Sequence, residues 1–251
     1  MQPRIVIVTG GSSGIGFATA RKFLEQGDTV VILSTNEAKG RAAESKLKAY
    51  GEVCWMSCNA ARNEDCVRVA QEVEARYGRI DVLVNNAGIV SKRVPFLQVE
   101  LEDVRHTLDV NVMGTIQMIR AVSDVMVRQG KGVVVNIGSI CGTLANTESV
   151  GYHASKGAVA MVTKSLAREL TPYGIRVVSA APGWVRTDLI DDAVAQVGGT
   201  LHMKGRIIEP EEIAGAVWLL SLDEASAING STVMVDDGYA SFKGLDGGVK
   251  N

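Results

Sequence analysis

Short runs of apolar, mostly β-branched residues recur along the chain at 5–8, 29–33, 53–56, 82–84, 133–137, 177–180 and 232–235. The runs are continuous rather than alternating, which predicts strands buried on both faces of a parallel sheet. The segments between them are longer and carry helical spacing. Ala20, Phe23 and Leu24 share one face, as do Leu101, Val104 and Leu108 in a helix near 101–128. Val159, Val162, Leu166 and Leu170 share another, in a helix near 152–171. This alternation predicts a Rossmann-like, doubly wound α/β fold. It has about seven parallel strands, helices on both faces and right-handed crossovers. No repeat, low-complexity tract or Pro/Ser-rich linker interrupts the pattern, so residues 1–251 read as a single domain. The 152–171 helix also carries Ala154, Ala158, Met161 and Ser165 opposite its apolar stripe. Two weakly polar faces predict cover on both sides, and with it a homo-oligomer, a tetramer or a dimer.

Composition narrows the picture by exclusion. An apolar fraction of 46% suits a large core, and a net charge of −2 with mixed signs excludes a nucleic-acid footprint. The apolar run after Arg4 is too short for a signal peptide or a membrane span, so no membrane association is expected. Cys54, Cys58, Cys66 and Cys141 fit neither zinc spacing nor a disulfide framework, and read as free thiols of a cytoplasmic protein. His106, His153 and His202 are scattered, and no metal is expected.

Two stretches carry chemistry. The first strand runs into Gly10-Gly11-Ser12-Ser13-Gly14-Ile15-Gly16 and then a helix. Glycines 10, 14 and 16 leave no side chain between backbone and ligand, and backbone N–H groups at the helix start can face a pyrophosphate. Dinucleotide binding follows from that strand–turn–helix order. The second strand ends Ser34-Thr35-Asn36, without the acid that accepts from a ribose 2′-hydroxyl and repels a 2′-phosphate. That favours NADP; with no arginine or lysine among the three, NAD stays open. The second stretch is Tyr152-His153-Ala154-Ser155-Lys156. One helical turn puts Tyr152 and Lys156 on one face. An ammonium ~4 Å from a phenol at an effective dielectric of ~20 lowers its pKa by roughly three units, toward the range of a general acid/base.

Taken in order, these segments resemble the short-chain dehydrogenase/reductase family in its compact form. Asn85-Asn86-Ala87-Gly88 is similar to the family's second signature. Asn111, Ser139, Tyr152 and Lys156 are similar to its catalytic tetrad, and 182–187 to the segment that meets the nicotinamide. The resemblance implies that Tyr152 exchanges the proton with a carbonyl or alcohol oxygen, which Ser139 binds and orients. It implies that Lys156 lowers the tyrosine pKa and holds the nicotinamide ribose, and that Asn111 holds a water linking Lys156 to solvent. Further nucleotide contacts implied are Asn59, Ala60, Asn85, Asn86, Ala87, Gly88, Pro182, Gly183, Val185 and Thr187. Asn59 stands where the family usually has an aspartate, and Ser13 where NADP-preferring members carry a base.

Substrate identity is less constrained. Ser139, Cys141, Asn146, Tyr152 and Trp184 are the expected contacts, with Leu144, Leu189, Ile190, His202 and Met203 as further lining, and 188–207 as a lid. A largely apolar pocket suits a secondary alcohol or ketone on an apolar skeleton, such as a hydroxysteroid or bile acid. The alternatives are a 3-oxoacyl-(acyl carrier protein), which Arg128 and Lys131 could meet although Tyr173 replaces a typical arginine, and a sugar or polyol. A non-catalytic nucleotide-binding regulator is the rival of another class. Four filled catalytic positions speak against it.

Overall fold

All seven apolar runs become strands of one parallel sheet. The computed structural model describes residues 3–187 and 192–242. The strands are β1 (Ile5–Thr9), β2 (Thr29–Ser34), β3 (Val53–Ser57), β4 (Val82–Asn85), β5 (Gly132–Ile137), β6 (Ile175–Pro182) and β7 (Thr232–Val235). Their order is β3-β2-β1-β4-β5-β6-β7, every neighbouring pair parallel. The β-branched runs are fully buried in β1 and β5, because helices cover both faces.

The helices are α1 (Gly14–Glu25), α2 (Glu37–Leu47), α3 (Asn63–Tyr77), α4 (Leu101–Leu108), α5 (Gly114–Gln129), α6 (Val150–Leu170), α7 (Asp192–Gly199), α8 (Pro210–Leu220) and α9 (Tyr239–Phe242). On one face Phe23 and Leu24 of α1, Leu47 of α2 and Ile213 and Val217 of α8 pack on Val6, Val8, Val30 and Ile32. On the other, Val69 and Val73 of α3 and Met118, Val122 and Met126 of α5 pack on Ile7, Val31, Leu83 and Val134.

After β1 the chain turns to one side of the sheet, and after β4 to the other. The crevice beyond the carboxyl ends of β1 and β4 is therefore the place where an open α/β sheet binds ligands.

The helix expected over 101–128 is broken. Asp109–Met113 forms a π-helical turn between α4 and α5, and Asn111 lies buried in it. Such wider turns let a side chain leave the helical ladder for another partner. The second face of α6 is open in the single chain: Ala154 and Ser165 are exposed and Met161 is 60% exposed. Among the described residues no helix is long and apolar enough to cross a membrane, and no His/Cys/Asp/Glu group could hold a metal ion.

Candidate active site

The nucleotide side is made of backbone brought into close approach. Gly10 and Gly14 have φ of +64° and +52°, which a side chain resists. A Cβ on Gly16 would lie 2.3 Å from the Gly10 carbonyl oxygen and 2.5 Å from Asn86 Nδ2. A Cβ on Gly14 would meet Thr187 Cγ2 at 3.4 Å, so the turn and the 182–187 segment face each other. Ile15 packs its side chain on the core and leaves its backbone at the turn. Ser13 is the N-cap of α1 with no side-chain cap bond, and the first turn carries no acid. Uncapped N–H groups at a helix start, with no neighbouring negative charge, fit a pyrophosphate.

Thr9, not singled out in the sequence, ties β1 to β4. Its Oγ1 accepts from the N–H groups of Asn86 and Ala87, both at 2.9 Å. A buried threonine at the end of a strand entering a glycine turn was the available signal. Asn86 donates to the carbonyls of Thr9 (3.0 Å) and Gly10 (3.2 Å), so its side chain shapes the turn. Asn85, expected on the adenosine side, points into the sheet instead. It donates to Asn136 Oδ1 at 3.0 Å, and Asn136 donates to Thr163 on α6 at 3.0 Å. Two buried asparagines in register on neighbouring strands satisfy each other there.

The residues at the outer edge are partly engaged. Ser34 Oγ accepts from Trp55 Nε1 at 2.9 Å, and Asn36 caps α2 by accepting from Lys39 N at 2.9 Å. Thr35 is exposed. Asn59 Oδ1 accepts from Ala61 N at 3.1 Å, forming a local turn. Ala60 packs beside Gly114.

The tetrad residues converge beyond the ends of β4 and β5. Asn111 accepts from Ile89 N (2.8 Å) and donates to Ile89 O (2.9 Å) and Ser155 Oγ (3.0 Å). Its amide therefore ties the segment after β4 to α6. Ser155, a missed contributor between Tyr152 and Lys156, also donates to Tyr152 O at 2.7 Å. A Cβ on Gly88 would lie 3.1 Å from Asn111 Oδ1 and 3.8 Å from Lys156 Nζ, which brings the second signature against the tetrad. Ser139 Oγ accepts from Cys141 N at 3.1 Å and stands near enough to the Tyr152 phenol to favour its ionised form. Half-buried Cys141 lies close enough to act electrostatically on both Tyr152 and Lys156.

The charge states differ from the expectation that Lys156 lowers the tyrosine pKa. Lys156, 7% exposed, donates to Ile137 O at 2.8 Å, and its Nζ is 5.7 Å from the Tyr152 ring centre. Burial pulls the ammonium down to about 8. Burial also pushes the Tyr152 phenol up to about 12, against an opposing pull from nearby Ser139. Desolvation wins at both groups, and the ammonium is turned to the Ile137 carbonyl rather than to the phenol. The arrangement holds a proton on Tyr152 at neutral pH, with Ser139 beside it to bind the same oxygen.

The substrate-side expectations divide. Asn146 is exposed, and its N–H donates to His153 Nε2 at 3.0 Å. Half-buried Trp184 packs its indole against α7 at Gly198. His202 is buried and bonded through both ring nitrogens, so it supports the wall rather than lining it. Met203 is 68% exposed, at the surface. Leu189 and Ile190, with 188 and 191 of the expected lid, lie outside the described residues. Pro182 closes β6, Gly183 N donates to Val235 O at 3.2 Å, and Val185 pairs with Ile208.

Comparison with known proteins agrees with this geometry. A family model described as Enoyl-(Acyl carrier protein) reductase matches residues 10–240. The chain is 33% identical to the cis-4-hydroxycyclohexanecarboxylate dehydrogenase of Sinomonas cyclohexanicum, over 95% of this chain and 97% of that protein. It is 35% identical to the 3alpha-hydroxysteroid dehydrogenase of Mediterraneibacter gnavus, over 94% and 96%. A solved short-chain type dehydrogenase/reductase from Mycobacterium ulcerans superposes with a TM-score of 0.92 at 30% identity, covering 96% of this chain and 91% of that one.

Proposed function

The chain belongs to the short-chain dehydrogenase/reductase family, and from that premise we propose that it interconverts a secondary alcohol and a ketone with a nicotinamide dinucleotide. The observation that carries this reading is the Tyr152 phenol, close to Ser139 and one helical turn from buried Lys156, beside a glycine turn shaped for a pyrophosphate. The dinucleotide supplies or accepts the hydride when bound. The chain's residues do the rest. Ser139 and Tyr152 bind one substrate oxygen. In reduction Tyr152 gives its proton to that oxygen as charge develops on it; in oxidation the Tyr152 phenolate takes the alcohol proton, a direction that rising pH favours. A phenol at about 12 stays protonated at neutral pH, as an acid must, and an alkoxide is the stronger base that draws the proton. Lys156 holds the ribose and supplies positive charge below the phenol. The Gly10–Gly16 backbone, with Ser12 and Ser13, holds the pyrophosphate, and Val185 and Thr187 hold the carboxamide side.

The proposed substrate is an apolar, ring-bearing alcohol such as a hydroxysteroid or bile acid. Half-buried Cys141, Leu144 and Trp184 support it, as do relatives named for a cyclohexane carboxylate and a hydroxysteroid. A carrier-bound 3-oxoacyl group is less well served. Arg128 and Lys131 lie at the amino end of β5, across the sheet from Tyr152, and pair with Glu74 and Asp223. We also propose a cytoplasmic homo-oligomer built on the open face of α6, and a lid around 188–207. The test follows NAD(P)H absorbance with a panel of cyclic and linear ketones and alcohols. Turnover with a ring-bearing substrate is expected, and Tyr152→Phe lowers kcat about a thousandfold or more while nucleotide Kd stays within about twofold. Nucleotide binding without turnover of any panel member overturns the enzymatic reading, and near-normal kcat in Tyr152→Phe overturns the proton assignment.

A further inference from the structure

Two walls continue from the ends of β5 and β6 beside the Ser139–Tyr152 pair, and a histidine ring is bonded into each. His153 directly follows Tyr152. Its Nε2 accepts the N–H of Asn146 at 3.0 Å, and its Nδ1 lies 2.7 Å from Ser149 O. His202 fastens the other wall. Its Nε2 accepts the N–H of Trp184 at 3.2 Å, and its Nδ1 lies 3.0 Å from Arg206 O. A ring nitrogen that accepts a backbone N–H cannot carry a proton, while one that meets a carbonyl must. Both rings are therefore neutral, with the proton on Nδ1. The opposite tautomer sets donor against donor and lone pair against lone pair in both places.

The local structure is built around these rings. A Cβ on Gly183 would lie 2.5 Å from His202 Nε2, so the ring occupies the space that a larger residue would need. The ring of Tyr239 stands edge-on to His202, with centres 6.0 Å apart. Among the described residues, the two non-glycine residues with positive φ are Glu148 (63°) and Asp237 (48°). One lies beside each ring. Glu148 precedes Ser149, whose carbonyl takes both the backbone N–H and the ring of His153. Asp237 accepts from Met203 N through its carbonyl (3.2 Å) and from Lys204 N through its carboxylate (2.7 Å), just beyond His202. Left-handed backbone at a side-chain-bearing residue is unfavourable and persists where surrounding bonds hold it.

We propose that His153 and His202 are positioning residues for substrate, holding residues 140–149 and Trp184 with 202–206 around Ser139 and Tyr152 as neutral Nδ1–H imidazoles. The proposal rests on the reading of Tyr152 as the proton-exchanging group. Tyr152 itself is held separately, because its N–H donates to Ser91 Oγ at 3.2 Å and it stands in the first turn of α6. Loss of a latch therefore moves the wall more than the phenol. His153 acts on the substrate alone. His202 acts on the nucleotide as well, because Trp184 stands between Gly183 and Val185.

Two measurements decide it. Long-range proton–nitrogen NMR on the full chain near neutral pH, assigned with His153→Gln and His202→Gln, is expected to show the Nδ1–H tautomer for both rings. An Nε2–H tautomer or an imidazolium at either ring overturns the proposal, whatever the enzyme acts on. For a substrate that the wild type turns over, His153→Phe is expected to raise KM about tenfold or more, with kcat within about threefold and nucleotide Kd unchanged. His153→Gln, which retains an acceptor near Nε2, brings KM most of the way back. His202→Phe raises both KM and nucleotide Kd. An unaltered KM in His153→Phe, or a lost kcat at normal KM, overturns the positioning role. A wild type without turnover overturns the hydride reading instead, and leaves the tautomers to judge the latches.

Discussion

The two sides of the cleft are built by different means. On the nucleotide side, glycine backbone is closely packed: Gly16 against the Gly10 carbonyl, and Gly14 facing the Thr187 side chain. On the substrate side, side-chain bonds also tie the loops, from His153 to Asn146 and from His202 to Trp184. Close packing tolerates no added atom, whereas a side-chain bond can be exchanged for another without disturbing the sheet. The nucleotide side is thus shaped for one ligand, and the substrate side can change its ligand with few substitutions.

Adding one carbon to the nucleotide side gives the largest expected effect. In Gly16→Ala the new methyl would sit 2.3 Å from the Gly10 carbonyl oxygen and 2.5 Å from Asn86 Nδ2. Overpacking of this kind costs about 1–3 kcal/mol in stability. Because the displaced atoms form the pyrophosphate cradle, nucleotide Kd is expected to rise about a hundredfold or more. Met203→Ala, at an exposed position on the other wall, serves as the contrast and should leave both quantities near wild type. Equal nucleotide affinity in Gly16→Ala would break the comparison. The readouts are fluorescence titration and thermal melting.

The same contrast explains what the chain disclosed before it was folded. Strands buried on both faces leave unbroken β-branched runs, so all seven were legible, and with them the parallel sheet. The glycine turn was legible because close approach admits one residue type. The Tyr152 and Lys156 spacing was legible as one shared helix face, but not its charge balance, which depends on where Lys156 Nζ points and how deeply both groups are buried. Asn85 and Asn86 looked alike in sequence, yet one bridges strands and the other braces the turn. His153 and His202 read as scattered because their partners are backbone N–H groups, which no residue type advertises. Thr9 and Ser155 were passed over for a similar reason: small hydroxyls are common, and only their buried positions make them structural.

Lys156 gives a smaller effect, which sharpens the substrate side through pH. Its ammonium is brought down from 10.5 to about 8 by burial, so between those values the unfolded chain binds the proton that the folded chain has released. Stability contributed by this group therefore rises with pH across that window, on the order of 1–3 kcal/mol. Tyr152, raised from 10 to about 12, acts in the opposite sense above pH 10, where the folded chain keeps a proton that the unfolded chain loses. Denaturant titrations at pH 8 and pH 10 are expected to show the rise in wild type and its absence in Lys156→Met. An identical rise in both proteins would show that the ammonium is not desolvated as its surroundings indicate.

The smallest effect concerns the edge of the nucleotide side, where close packing gives way to side chains. Three polar residues at the end of β2 favour a 2′-phosphate by lacking an acid, but Ser34 is engaged by Trp55 and Asn36 caps α2. Thr35 and the Asn36 amide group are left to donate. The nearest acid, Glu37, accepts from Arg41 Nε at 2.8 Å, and Arg41 lies 5.1 Å over the Trp55 ring. This exposed pair cancels much of the field that either charge would cast toward the ribose. A nearly neutral edge discriminates weakly, so KM for NADPH is expected to be about threefold below that for NADH. Glu37→Gln leaves Arg41 uncompensated beside the same edge and is expected to widen the preference by about threefold more. Initial rates with both nucleotides at a fixed substrate concentration measure the ratio. A preference for NADH, or a Glu37→Gln ratio equal to wild type, would show that this edge is ruled by backbone approach like the rest of the nucleotide side.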